Sequence, residues 1–556
     1  MAGWSRTNRR GRRAKKSAKP SPTHKEENMK GITSSFLTAI TLCSSVYSVD
    51  ISNLSHCVDD IKQAVAKEQT VQLFSSNYAK LLSDLHSASM RNSFPPIYQQ
   101  QVFDPFLNYM TQLGASGFNS IFSSSSGNPE AEFLQAIIPD ICEAILQNGT
   151  HFIAPSTNAF QEVVNDLYDG FLSQESRVSN ETGQPIKPPD LGVLPPLVKW
   201  GNPDAGPYTW PADATGELHI HSAVVSLPPA HLNRGLLGWS ALPHETCGHD
   251  ILHADNGLLD ELADVVYKGV LAGTRDSFLA NYWKQCIDET ASDVLGLLNT
   301  GPTTGIGLVG YFRGLMGGPL RNVGAMPPLD THPVDILRAF LAAHVVSQLS
   351  FAGAKEWSEA IKSEAQKDLK TIYLVDAKKR YTRLSTEKAI HSAEIVGDVI
   401  INTKLKSLEN HSLKEIQDWT DADQKIVDTL AAELRAGSTL TSEFKTNDFY
   451  AAHVVAAAVQ EALKAGSNIQ TLFDRMIGYL DVMHQYNTLW NPAAPPAPAS
   501  CTCNCKCDCC VKCQQQAPAS AKPVANIIPK RLAHKEIHLL NGEADLAVQE
   551  DLLVLQ

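Results

Sequence analysis

His244-Glu245-Thr246-Cys247-Gly248-His249 places two imidazoles and a carboxylate within six residues of what reads as a helix. Two histidines four apart on a helix share one face and can grip a zinc ion, with a glutamate beside the first acting as general base. Here the second histidine comes one residue late. At about 100° per residue, five positions turn it well away from the first, so an unbroken α-helix would aim the two rings in different directions. A one-residue π-type bulge restores the shared face. Gly248 is where the backbone is freest to deform. A second spacing competes: His249 and His253 in HDILH lie four apart, with Asp250 in the position of the base.

The next acidic helix, Asp288-Glu289-Thr290-Ala291-Ser292-Asp293 within WKQCIDETASDVLGLL, puts Glu289 and Asp293 on one face, one available to a metal and one to an imidazole N–H. Together, the HExxGH pattern and this acid helix resemble the dipeptidyl peptidase III family of gluzincin-type zinc metallopeptidases, over roughly residues 215–300. The match is in the acids and not in the residues between them. The resemblance implies that His244, His249 and Glu289 are zinc ligands. It also implies that Glu245 activates a water as general base, and that Asp288 and Asp293 orient the two metal histidines. Asp330-Thr331-His332-Pro333 resembles a segment found downstream of the metal helices in several zincin families, which makes His332, with Tyr311 and Arg313, a candidate to stabilise an oxyanion.

Around this centre the expected architecture is mainly α: a multi-lobed helical body with a small β element beside a zincin-like active-site helix. Residues 49–205 read as an N-terminal helical region, 206–350 as the zincin-like catalytic region and 351–490 as a C-terminal helical region. Segments such as EAEFLQAIIPDICEAILQ and FYAAHVVAAAVQEALKAG repeat apolar residues at three and four. Residues 177–215 are rich in Pro, Gly and Asp and read as a loop, and Glu217 to Val225 alternates like a strand, with His219 and His221 on one face. Asn299-Thr300-Gly301-Pro302 reads as a helix stop. The GxGxxG at Gly305, Gly307 and Gly310 lacks a βαβ setting and reads as close packing, not nucleotide binding.

At 556 residues and 43% hydrophobic, the chain can bury a substantial core. Its net charge is −12, and since residues 1–30 carry about +8, the remainder holds about −20, which argues against a nucleic-acid-binding body. Residues 1–48 read as a basic head followed, after Met29, by an export-signal-like run, and no later stretch is apolar enough to span a membrane. The compartment is left between export and the cytoplasm by the other end of the chain. There, Cys501, Cys503, Cys505, Cys507, Cys509, Cys510 and Cys513 make up seven of twelve cysteines, inside a Pro/Ala linker at 491–525 that precedes a tail at 526–556. The tract resembles a metallothionein segment, and dense thiolates persist in reducing compartments. Two readings of function follow: a zinc-dependent peptidase acting on a peptide substrate, or a non-catalytic metal-binding protein whose cysteine tail is the working part.

Overall fold

A computed structural model describes residues 48–491, apart from 69, 88–93, 125–126, 173–176, 180–181, 192–193, 204–205, 441–443 and 445–448. The basic head, the signal-like run before residue 48 and the cysteine tract lie outside the described residues. The fold is mainly α, with two small three-stranded sheets.

Two apolar cores organise it. The larger gathers side chains from Leu54 to Met483, including the indoles of Trp200, Trp239, Trp283 and Trp419. The smaller is built from the helices at Tyr78–Leu85, Asp104–Ser123 and Pro129–Gly149. Between them lies the first sheet, in the order β1 (Leu194–Trp200), β3 (Ser222–Leu227), β2 (Tyr208–Trp210), with β1 parallel and β2 antiparallel to β3. Alternation along the strands splits the sheet between the cores: Leu197, Trp210 and Val224 face the smaller, and Val198, Trp200 and Val225 the larger. All of β3 is buried, as a central strand covered on both faces should be.

Side chains close the outer edge of β1. Gln147 brackets the backbone of Trp200 through its N–H (2.8 Å) and its carbonyl (3.0 Å), Asn148 donates to the Val198 carbonyl at 2.8 Å, and Gln161 to that of Pro196 at 2.8 Å. Buried amides thereby satisfy backbone groups that a sheet edge would leave open. Asp140 ties both outer strands to the Pro129–Gly149 helix by accepting from Lys199, from the Tyr208 hydroxyl at 2.8 Å and from the Trp210 indole at 2.7 Å.

Two expectations need correction here. The region 177–215 is not wholly loop, because it contains β1 and β2. Pro195 and Pro196 sit at the start of β1, where the pairing register slips between Leu194 and Leu197, so the prolines fall where a missing N–H is tolerated. The strand expected from Glu217 begins only at Ser222: residues 217–221 form a turn, with His219 in the left-handed region at φ 63°. That turn buries Leu218 and Ile220 and exposes His219 and His221, which reproduces strand-like alternation without a strand. The second sheet joins β4 (Val323–Ala325), from the expected catalytic region, to β5 (Tyr373–Val375) and β6 (Tyr381–Arg383), from the expected C-terminal helical region.

The glycine-rich stretch is a helix, Pro302–Leu315, entered through Gly301 at φ 68°. Its GxGxxG serves contact: a Cβ on Gly307 would lie 2.1 Å from the Ser240 hydroxyl, and one on Gly310 would lie 2.4 Å from Leu237. Among the described residues no helix is long and apolar enough to cross a membrane.

Candidate metal centre

The motif folds as a π-helical turn, His244–Asp250, that continues into a short α-helix, Ile251–Ala254. A π-helix closes on the fifth residue, so histidines five apart come back to one side. Their ring centroids stand 5.0 Å apart with planes at 85°. Gly248 serves closeness more than conformational freedom. A Cβ there would lie 2.2 Å from the Ser292 Cβ and 2.5 Å from its Cα, on the facing Ile287–Thr300 helix. That helix can therefore press its acids against the motif. The far end of the motif is pinned by Asp255, which takes a bidentate ion pair from the fully buried Arg177 at 3.0 and 2.5 Å and a third contact from Lys187 at 2.9 Å.

One ligand atom from each of His244, His249 and Glu289 lies within 4.8 Å of the others, so this buried group can hold a metal ion. His244 Nε2 is 3.2 Å from Glu289 Oε2, and His249 Nε2 is 3.7 Å from Glu289 Oε1. Tetrahedral zinc with bonds of about 2.0–2.1 Å spaces its ligands by about 3.4 Å, which these separations bracket. The donor set also fits: two imidazoles and one carboxylate leave a fourth position open, as hydrolytic zinc sites do. Behind each ring stands an acid. Asp293 Oδ1 accepts from His244 Nδ1 at 2.9 Å, and Asp288 Oδ1 from His249 Nδ1 at 3.0 Å, leaving both Nε2 atoms to face Glu289.

Electrostatics matches this placement. Burial alone would pull the His244 and His249 imidazoles down, but the carboxylates of Asp293, Asp288 and Glu289 outweigh it and raise each to about 9. Burial likewise opposes the charge on Asp293, yet Arg338 and His244 hold it down at about 2, and the surrounding imidazoles keep Glu289 and Asp288 far below the usual carboxylate range. A metal ion would bind the two Nε2 atoms in their unprotonated form, so its binding would release protons from the rings.

Glu245 is buried beside His244, and the Thr209 hydroxyl of β2 lies 2.9 Å from its Oε2 and 3.1 Å from its main-chain carbonyl. His332 arrives from the loop that follows β4. Asp330 accepts from its Nδ1 at 2.7 Å, and its Nε2 lies 3.3 Å from Glu289 Oε2. The His332 side chain is 45% exposed, against 11% for that of Glu289. Tyr311 and Arg313 are not brought there. The Tyr311 ring packs edge-on against His231 with its hydroxyl buried and unbonded, and Arg313 is committed to Glu364 and Asp368, both at 2.7 Å. Their spacing on one helix turns them toward other neighbours.

His253 lies outside the group whose ligand atoms converge. Its Nδ1 is 3.2 Å from Asp213 and its Nε2 3.1 Å from Asp288, so both ring nitrogens are engaged by carboxylates. Asp250 is fully buried, and burial pushes its carboxyl up to about 7. Sequence reasoning missed Thr209, Asp213 and Arg338, which act on the motif from distant elements. Arg338 reaches Asp293 Oδ2 through Nε and Oδ1 through Nη2, both at 2.8 Å.

No protein-family model, curated protein or solved structure matches the chain.

Proposed function

We propose that the protein is a zinc-dependent hydrolase, most consistent with a peptidase in which a glutamate general base works beside a two-histidine, one-glutamate metal centre. The observation that carries this reading is the convergence of His244, His249 and Glu289 from two helices, with Glu245 on the same turn. The HExxGH resemblance to the dipeptidyl peptidase III family supports it. Zinc held there supplies Lewis acidity and brings the pKa of water down toward about 7.

The chain's own groups divide the remaining work. Glu245 takes the proton from water attacking a carbonyl and returns it to the departing amine. Thr209 holds the Glu245 carboxylate by one oxygen, 2.9 Å away, leaving the other for that proton. His332, steadied by Asp330, brings Nε2 beside Glu289, where a protonated imidazole can stabilise a developing oxyanion. The opposing carboxylates of Glu289 and Asp330 outweigh its desolvation and hold it above its usual pKa, although its exposure lets solvent soften the effect.

The test is Glu245→Gln in the zinc-loaded full chain, with a peptide mixture followed by mass spectrometry. The variant should keep its zinc and lose turnover by about 100-fold or more. Undiminished hydrolysis refutes the role of Glu245. A zinc-loaded wild type that cleaves nothing favours a non-catalytic metal-binding protein.

A further inference from the structure

Asp293 is the one orienting acid that a permanent cation holds from both oxygens. Its Oδ1 accepts from His244 Nδ1 at 2.9 Å and from Arg338 Nη2 at 2.8 Å, while Oδ2 accepts from Arg338 Nε at 2.8 Å. Arg338 comes from a third element, the Asp335–Ser347 helix, and is 7% exposed. Its guanidinium lies over the Phe312 ring at 4.7 Å, which limits rotation of the fork.

We propose that Arg338 is a positioning residue for the metal centre: its fork fixes the plane of the Asp293 carboxylate, and through it the tautomer and ring orientation of His244. The inference rests on the metal-centre reading above and adds a residue to it. Both His244 nitrogens face carboxylates, Nδ1 toward Asp293 and Nε2 toward Glu289. The ring can serve as a ligand only if the proton stays on Nδ1 and the Nε2 lone pair points inward.

A carboxylate free to rotate would aim at Nδ1 only part of the time, whereas one gripped at both oxygens aims continuously. Stability is a poor explanation for such a pair, since a buried ion pair adds little over apolar packing once desolvation is counted. Lysine would supply the charge without the fork, because an ammonium is a point contact. On the other side of the centre, His253 holds the second oxygen of Asp288 at 3.1 Å, so each orienting acid has a donor behind it.

The experiment compares the full-length wild type with Arg338→Gln and Arg338→Lys. Three quantities are read: zinc affinity by competition with a chromophoric chelator, the visible spectrum of the cobalt-loaded protein, and the melting midpoint of the metal-free chain. Arg338→Gln should weaken zinc binding by about 10- to 100-fold and shift the cobalt bands, as loss of an outer partner of a metal ligand does. Arg338→Lys should recover the midpoint without recovering the affinity.

A lowered midpoint with wild-type affinity and an unchanged cobalt spectrum reduces Arg338 to a structural part and overturns the proposal. Full recovery of affinity by lysine shows that charge suffices, and overturns it too. If Arg338→Gln does not fold, Arg338→Lys decides alone. A wild type that takes up no zinc, or a His244→Ala variant that keeps it, removes the metal centre itself, an outcome distinct from failure of the arginine.

Discussion

Replacing Gly248 by alanine tests the contact on which the centre depends. The new Cβ would meet Ser292 Cβ at 2.2 Å, its Oγ at 2.4 Å and its Cα at 2.5 Å. Ordinary carbon–carbon contact is about 3.5 Å, so the motif and the acid helix must separate by about 1 Å. His244 and His249 sit on one side of that gap and Glu289 on the other. A separation of that size would carry a zinc–carboxylate bond of about 2 Å to about 3 Å, past bonding distance. Overpacking of this kind costs about 1–3 kcal/mol, so the metal-free chain should melt a few degrees lower. Chelator competition and metal analysis should show zinc affinity falling by about 100-fold or more, in line with the effect of a 1 Å misplacement on a positioned site. Adding Ser292→Gly removes two of the three clashes and leaves the approach to Cα, so the double variant should recover only part of the loss. A Gly248→Ala chain that binds zinc like the wild type and melts at the same temperature would refute the close-approach argument.

Thr209→Val removes the hydroxyl 2.9 Å from the Glu245 carboxylate while keeping the volume of the side chain. Turnover on any peptide the wild type cleaves should fall by about tenfold with zinc affinity unchanged, since a hydrogen bond to a charged group is worth about 1.5–3 kcal/mol and part of it is replaced by water. Away from the centre, burial pushes the His231 imidazole from 6.5 down to about 4, against a contact with the Gly235 carbonyl at 3.1 Å. The folded chain thus binds fewer protons here than the unfolded one. The contribution is complete above pH 6.5 and is lost as pH falls toward 4, for a total of about 3 kcal/mol. Urea unfolding between those limits should have a shallower pH slope in His231→Gln than in the wild type, and equal slopes would count against the assignment.

The motif was legible because its information is local. Residue types at fixed spacings on two helices suffice to say that His244, His249 and Glu289 can face one another, and the extra residue between the histidines forces a distorted turn. The supporting residues were not legible, because nothing local ties them to the motif. Arg338 lies 45 positions from Asp293 and Thr209 lies 36 from Glu245. Each is linked to the site only through packing of separate elements. The mainly α fold followed from apolar periodicity, whereas the strands were misplaced because prolines masked β1 and a turn imitated alternation before β3. Tyr311 and Arg313 were chosen for chemistry without knowledge of direction. Burial of the tyrosine against His231 and pairing of the arginine with two acids take both away.

The same segment carries two possible ligand pairs, and the acid helix decides between them. In HDILH, His249 and His253 have the spacing an α-helix would favour, and the chain is α-helical from Ile251. Yet Asp288 divides its oxygens, giving Oδ1 to His249 and Oδ2 to His253, while Asp213 takes the remaining His253 nitrogen. Both His253 nitrogens face acids outside the converging group, Asp213 and Asp288, whereas His249 directs Nε2 at Glu289. His244 has its own acid in Asp293 and directs Nε2 at Glu289, so the pair five apart meets on that carboxylate and the pair four apart does not. Metal analysis of three variants separates the cases. His244→Ala and His249→Ala should each lose the zinc, and His253→Ala should retain one equivalent with affinity lowered by about tenfold, as removal of an outer partner does. Zinc that survives His244→Ala and leaves with His253→Ala would assign the ion to HDILH, with Asp250 in place of Glu245 as the base.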